Sequence, residues 1–198
     1  MPRVSPPAQP AGYAFAIWGL IDIWLLVSAG AGLFTARSTD SEWERTRLPL
    51  ILSLAPGAAW IGVARFTPLW ATALIFWMLA AALWALFASP GKDRWLLQAP
   101  LALYAGWLTA AAWVSLAFIG AGYGIGPGAT GWAVIALAGA FATAALVQTR
   151  LSRAPEYGFA TAWALVAITV ANAGSNTPVA MLAALGAVAL ATLAWRAR

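Results

Sequence analysis

The sequence contains no cysteine and no histidine. Those two absences exclude a disulfide framework, an iron–sulfur cluster, an ordinary zinc site and a histidine-ligated haem, and they remove the Cys nucleophile and the His base from any catalytic scheme. Charge is scarce as well. Asp, Glu, Lys and Arg make up 9% of the 198 residues, while 63% are hydrophobic; a soluble domain carries about a quarter charged residues. With a mean hydropathy of +0.80, the chain is built for a solvent other than water. Apolar and polar residues do not alternate with a period of two, which argues against a membrane barrel and leaves helices to satisfy backbone groups in lipid. The fold class expected is all-α: a polytopic transmembrane helical bundle forming a single domain over residues 1–198, without a linker or an internal repeat.

What the chain does have is one apolar stretch after another, each about the 20 residues needed to cross a bilayer. Seven helices are predicted, near 13–36, 48–66, 69–88, 98–120, 130–149, 158–173 and 177–195. The run from Leu48 to Ala88 is too long for one crossing, and Arg65, Phe66, Thr67 and Pro68 form the hairpin that divides it, because Pro favours the first turn of a helix and disfavours helical geometry just before itself. The segment from Asn172 to Pro178 collects turn formers and marks the last boundary. The first segment is read as a retained helix, since Arg3 is the sole charge before it and Asp22 interrupts its apolar run.

The eleven Lys and Arg residues give a net charge of +5, but they lie one to three at a time between apolar segments and not along a stripe, so nucleic acid is not an expected partner. Their distribution reads as topology. Arg37, Arg45, Arg47, Lys92, Arg94, Arg150, Arg153, Arg196 and Arg198 fall after helices 1, 3, 5 and 7, whereas Arg3 and Arg65 fall on the other side. The positive-inside rule then places the N-terminus outside and the C-terminus in the cytoplasm, and the expected location is a bacterial inner membrane.

Thirteen Trp residues exceed what an interfacial belt requires. Trp43, Trp95, Trp132 and Trp195 sit near predicted helix ends, where an indole anchors in the headgroup region. Trp18, Trp24, Trp60, Trp77, Trp84, Trp107, Trp113 and Trp163 lie further in; packing or lipid contact explains each alone, and several together could line a pocket for a large flat ligand.

The segment Pro10-Ala11-Gly12-Tyr13-Ala14-Phe15-Ala16-Ile17-Trp18-Gly19-Leu20-Ile21-Asp22 resembles the Pro-Pro stretch and following Trp-bearing helix of the tryptophan-rich sensory protein family, which includes the translocator proteins. Gln9 stands in place of the first proline, Ile21 in place of a leucine and Asp22 in place of a tyrosine. Trp60 resembles the tryptophan of that family's next helix. Tyr104, Trp107, Trp113 and Ser115 resemble positions of its final helix. The resemblance covers residues 8–120, so that helices 1 to 4 look like the second to fifth helices of a five-helix family, with three further helices after the match. It implies a handler of lipophilic ligands, with a porphyrin or haem as ligand and no obligatory cofactor.

Asp22 stands out without any family argument. Near mid-bilayer a carboxylate must be protonated, paired or in a wet cavity, and it lies four residues beyond Trp18, on the same helical face. Arg65 either snorkels to the interface or holds a ligand carboxylate such as a porphyrin propionate. Asn172 and Asn176 either bond a ligand or cap and turn the chain, and Gln148 is read as interfacial. The candidate ligand-binding residues are therefore Tyr13, Trp18, Asp22, Trp60, Arg65, Tyr104, Trp107, Trp113 and Asn172. No enzyme is expected, because one acid without a base, nucleophile or metal cluster specifies no reaction. Three functions stay open: a binding or sensory protein for a flat lipophile, a transporter coupled to protons through Asp22, and an assembly partner of a membrane complex. The bilayer and a lipophilic small molecule are the expected partners, and a homodimer is compatible with the chain.

Overall fold

The computed structural model describes residues 6–34 and 36–197; Arg3 and Arg198, used in the topology argument, lie outside them. The described residues form seven α-helices: α1 (Ile17–Phe34), α2 (Ser41–Phe66), α3 (Pro68–Ala88), α4 (Ala99–Gly122), α5 (Gly128–Arg150), α6 (Pro155–Asn172) and α7 (Thr177–Arg196). A short 3-10 turn, Gly12–Ala16, leads into α1, and a π turn, Arg94–Gln98, leads into α4. All seven predicted helices are present, in the predicted order.

The boundaries differ where polar residues extend a helix beyond its apolar run. Helix α2 starts at Ser41 and not near Leu48, because the Asp40 side chain accepts the Glu42 N–H at 2.8 Å and caps it, with Glu42 and Glu44 in the first turn complementing the helix dipole. At the other end, Thr67 alone separates α2 from α3, and Pro68 opens α3 as expected. The glycine-rich connection after α4 turns with Gly124, Gly126 and Gly128 at φ of 69°, 72° and 78°, a region that L side chains rarely enter. Six helical segments are long and apolar enough to cross a membrane; α6 is not among them. Its 18 residues include Pro155, Glu156 and Asn172, and it packs against α4, α5 and α7, so the protein around it replaces part of the lipid contact that demands apolarity elsewhere.

Helix α4 is the hub, in contact with α1, α3, α5 and α6, and 67% of its spanning window is buried. Small residues let its neighbours approach: a Cβ at Gly106 would stand 2.2 Å from the Tyr157 carbonyl oxygen on α6, and Thr161 Oγ1 donates to the Gly106 carbonyl at 2.9 Å. Polar side chains inside this block are matched. Tyr157 hydroxyl and Thr109 Oγ1 lie 2.8 Å apart, and since Thr109 donates to Ala105 O, the tyrosine donates to the threonine. Gln148, read from sequence as interfacial, is buried and bridges the α5–α6 turn, accepting from Gly158 N at 2.9 Å.

The connections after α1, α3 and α5 meet on one face. Arg37 makes a two-pronged ion pair with Asp93, both bonds 3.0 Å; Lys92 reaches Asp40 and Glu42; Arg94 pairs with Glu156, and Arg153 donates to Ser89 O. These three basic loops therefore share a side, as their alternate positions along the chain require. The Arg37 guanidinium holds the Asp93 carboxyl below the usual carboxylate range, and Glu42 and Asp40 push the Lys92 ammonium up. Trp43 belongs to this network and not to a headgroup belt: it is 3% exposed and donates Nε1–H to Asp93 at 2.9 Å.

Candidate functional site

Helix α1 is fastened at its two ends. Before it, Ala11 N–H donates to Ala167 O and Trp163 Nε1–H to Ala14 O, each at 3.1 Å, which ties its entry to α6. Midway along it, Trp24 stacks on Trp95 with centroids 6.3 Å apart and donates Nε1–H to Trp95 O at 2.7 Å, and near its C-terminal end Arg47 donates to Gly32 O at 3.2 Å. Between these fastenings α1 rests on α4 without packing closely on α2. The space left between α1, α2, α3 and α4 is a cavity of about 680 Å³, and a second of about 240 Å³ adjoins it. Phe15, Trp60, Ile75, Trp107 and Ala111 line both, so the two lie side by side. Asp22 and Ile61 lie on the rim and are exposed, so the larger cavity opens between α1 and α2.

Five of the nine sequence candidates come together here: Trp18, Asp22, Trp60, Tyr104 and Trp107 line the larger cavity. Trp18 and Asp22 share its wall, as their four-residue spacing implies. The Trp18 and Trp107 rings meet edge to face at 6.4 Å, a favourable aromatic arrangement. Tyr104 is buried; because Ser53 Oγ–H donates to Met78 O at 2.7 Å, the Tyr104 hydroxyl donates to Ser53 at 2.9 Å. Its polar end is thus occupied within the protein, and the ring is what it offers the cavity.

Four candidates lie elsewhere. Tyr13 packs edge-on against Trp163. Arg65 is exposed at the C-terminal end of α2 and lines neither cavity. Trp113 faces α5, donating Nε1–H to Thr143 Oγ1 at 3.1 Å. Asn172 donates to Pro7 O and Ile168 O, both at 2.8 Å, and so secures the N-terminal arm, while Asn176 caps α7. The sequence reading missed Phe15, Ile75, Met78 and Ala111 as lining residues; Ala111 sits in an Ala-Ala-Ala run that reads as helix packing, and nothing in composition separates the alanine facing a void from its neighbours.

Trp107 combines burial with an unmatched indole N–H. Trp24, Trp60, Trp77, Trp113 and Trp163 each donate the indole N–H to a protein oxygen. Trp107 is 2% exposed and its Nε1–H has no partner among the described residues. An unmatched buried donor costs about 1–3 kcal/mol, and this one belongs to a ring that walls both cavities. Asp22 likewise has no hydrogen-bond or ion-pair partner among the described residues. The site therefore consists of aromatic faces, one unmatched donor and one carboxylate; no group of His, Cys, Asp or Glu able to hold a metal occurs among the described residues.

The family model described as TSPO-like protein matches residues 3–196, which takes in all seven helices and reaches well beyond 8–120. No curated protein and no solved structure matches the chain.

Proposed function

The chain belongs to the TSPO-like protein family, and we propose that it is a membrane-embedded binding or sensory protein whose cavity between α1, α2, α3 and α4 holds a flat lipophilic ligand. The observation that carries this reading is the cavity wall: three tryptophans, Trp18, Trp60 and Trp107, face one space, and the last holds a buried N–H with nothing to bond. At about 680 Å³ the space falls in the range of about 300–1,000 Å³ that small-molecule sites occupy. Its rim between α1 and α2 lies near the middle of the Gly12–Phe34 span, so a lipophile dissolved in the bilayer reaches it sideways without crossing water. The face carrying Arg37, Lys92 and Arg153 is assigned to the cytoplasm of a bacterial inner membrane by its basic charge.

Protoporphyrin dimethyl ester, a flat tetrapyrrole with its carboxylates masked, tests the reading. Added to the protein in lipid nanodiscs, it should quench Trp emission saturably, and Trp18→Ala and Trp107→Ala should each weaken the titration by about tenfold, the scale expected when a central aromatic contact is removed. Trp195→Ala, at an exposed position near the end of α7, should leave it unchanged. Non-saturating quenching of equal size in all variants would assign the effect to partition into lipid. Uptake of the same compound into proteoliposomes, if present, would assign a transport function to the same cavity.

A further inference from the structure

We propose that the cavity beneath α1 selects flat lipophiles that carry a positive charge, with Asp22 as counter-ion and Trp18, Trp60 and Trp107 as aromatic walls. This rests on the reading that the cavity binds a lipophile. The charge of the lining decides the selection. Asp22 is the charged residue among those lining the two adjacent cavities, and no Lys or Arg lines either. The nearby basic groups are committed elsewhere: Arg37 to Asp93, Arg94 to Glu156 and Lys92 to Asp40 and Glu42, all on the loop face. Arg65 stands exposed at the far end of α2, outside the lining.

A carboxylate near mid-bilayer is costly without a partner, and Asp22 has none among the described residues. A ligand cation supplies one. The tryptophan walls favour the same sign, because the face of an indole is electronegative and attracts a cation within about 6 Å of its centroid. Carboxylate and aromatic faces around one space form the arrangement that recognises an ammonium or a quaternary aromatic nitrogen. A flat dicarboxylate meets the reverse: its charges would enter low dielectric facing Asp22, with no lining cation to receive them.

Three probes share one three-ring skeleton and differ in charge: N-methylacridinium, anthracene and anthracene-9-carboxylate. Their binding to the full-length protein in nanodiscs of neutral lipid is measured by Trp quenching, with protein-free nanodiscs as the partition control. The cation is expected to bind at least about tenfold more tightly than the anion, with anthracene between them, as for a charge-assisted contact that is partly desolvated. Asp22→Asn, nearly isosteric, should erase most of that ratio by weakening the cation far more than anthracene. Equal, saturable binding of all three would overturn the charge selection and leave the binding cavity standing. Saturable binding of none would overturn both. A ratio that survives Asp22→Asn would assign selection to the aromatic walls and overturn the role of Asp22.

Discussion

Helices α4 to α7 and helices α1 to α3 use the same residue types to opposite ends. In the first group, glycine and alanine bring helices together: Gly106 lies against the Tyr157 backbone, and Gly139 accommodates the Trp113 ring, to which a Cβ would come within 2.3 Å. In the second, Gly19 is exposed and Gly57 lines the cavity, while Gly32 near the end of α1 lies close to the Trp43 ring. A Cβ at Gly19 on α1 would meet nothing within 4 Å, and at Gly57 on α2 only the flexible end of Met78 at 3.0 Å. Tryptophan divides in the same way. Trp113 has its N–H bonded and its ring packed against α5, whereas Trp107 lines the cavity and keeps a buried N–H without a partner among the described residues. The two regions differ in that α1 is fastened at its ends and spans a gap, while α6 is in contact with α4, α5 and α7.

The contrast is sharpest for one substitution made twice. Gly106→Ala should destabilise the protein by about 2–3 kcal/mol, since backbone must move to admit the methyl group, and thermal unfolding in detergent reads this directly. Gly19→Ala should be neutral or stabilise by up to about 1 kcal/mol through helix propensity. Equal losses at both positions would mean that α1 is packed as tightly as α4. The tryptophan pair comes next in size. Trp113→Phe forfeits a matched hydrogen bond, whereas Trp107→Phe removes an unmatched donor, so the second should cost about 1 kcal/mol less than the first by thermal unfolding.

The smallest effect concerns the loop face that holds one end of the gap. Asp93 has its carboxyl held below the usual range, chiefly by the Arg37 hydrogen bond. A depressed folded-state value contributes stability that is present above the unfolded value of about 3.9 and lost as pH falls through the folded value. Asp93→Asn should therefore lower Tm by about 1–2 °C at neutral pH and flatten the fall in Tm below about pH 4. An unchanged acid limb would show that the loop pairs do not restrain α1.

Much of this was legible in the sequence, for reasons that also mark the limit. Helix number and order follow from apolar length, and the Thr67–Pro68 turn from proline geometry. The shared wall of Trp18 and Asp22 follows from the helical period. Polar extensions such as Asp40–Arg47 were not, because hydropathy locates the membrane crossing and not the helix start. Neither was the fate of individual polar ends. Asn172 and Arg65 look alike from sequence as ligand contacts, yet one secures the N-terminal arm and the other stands outside the cavity. Trp43 has the position of an anchor and the burial of a core residue. Which side of a tryptophan meets protein, lipid or a void depends on neighbours that arrive from distant segments, and no local pattern encodes it.

The central claim, that ligand enters under α1 and not at the lipid-facing surface generally, is tested most directly by photolabelling. A flat aromatic probe bearing a diazirine, activated in nanodiscs, should label peptides of α1, α2 and α4 around Trp18, Trp60 and Ala111, and excess protoporphyrin dimethyl ester should suppress that labelling. Labelling spread in proportion to lipid exposure, with Met181, Leu185 and Val188 of α7 marked as strongly and no competition by the tetrapyrrole, would contradict it.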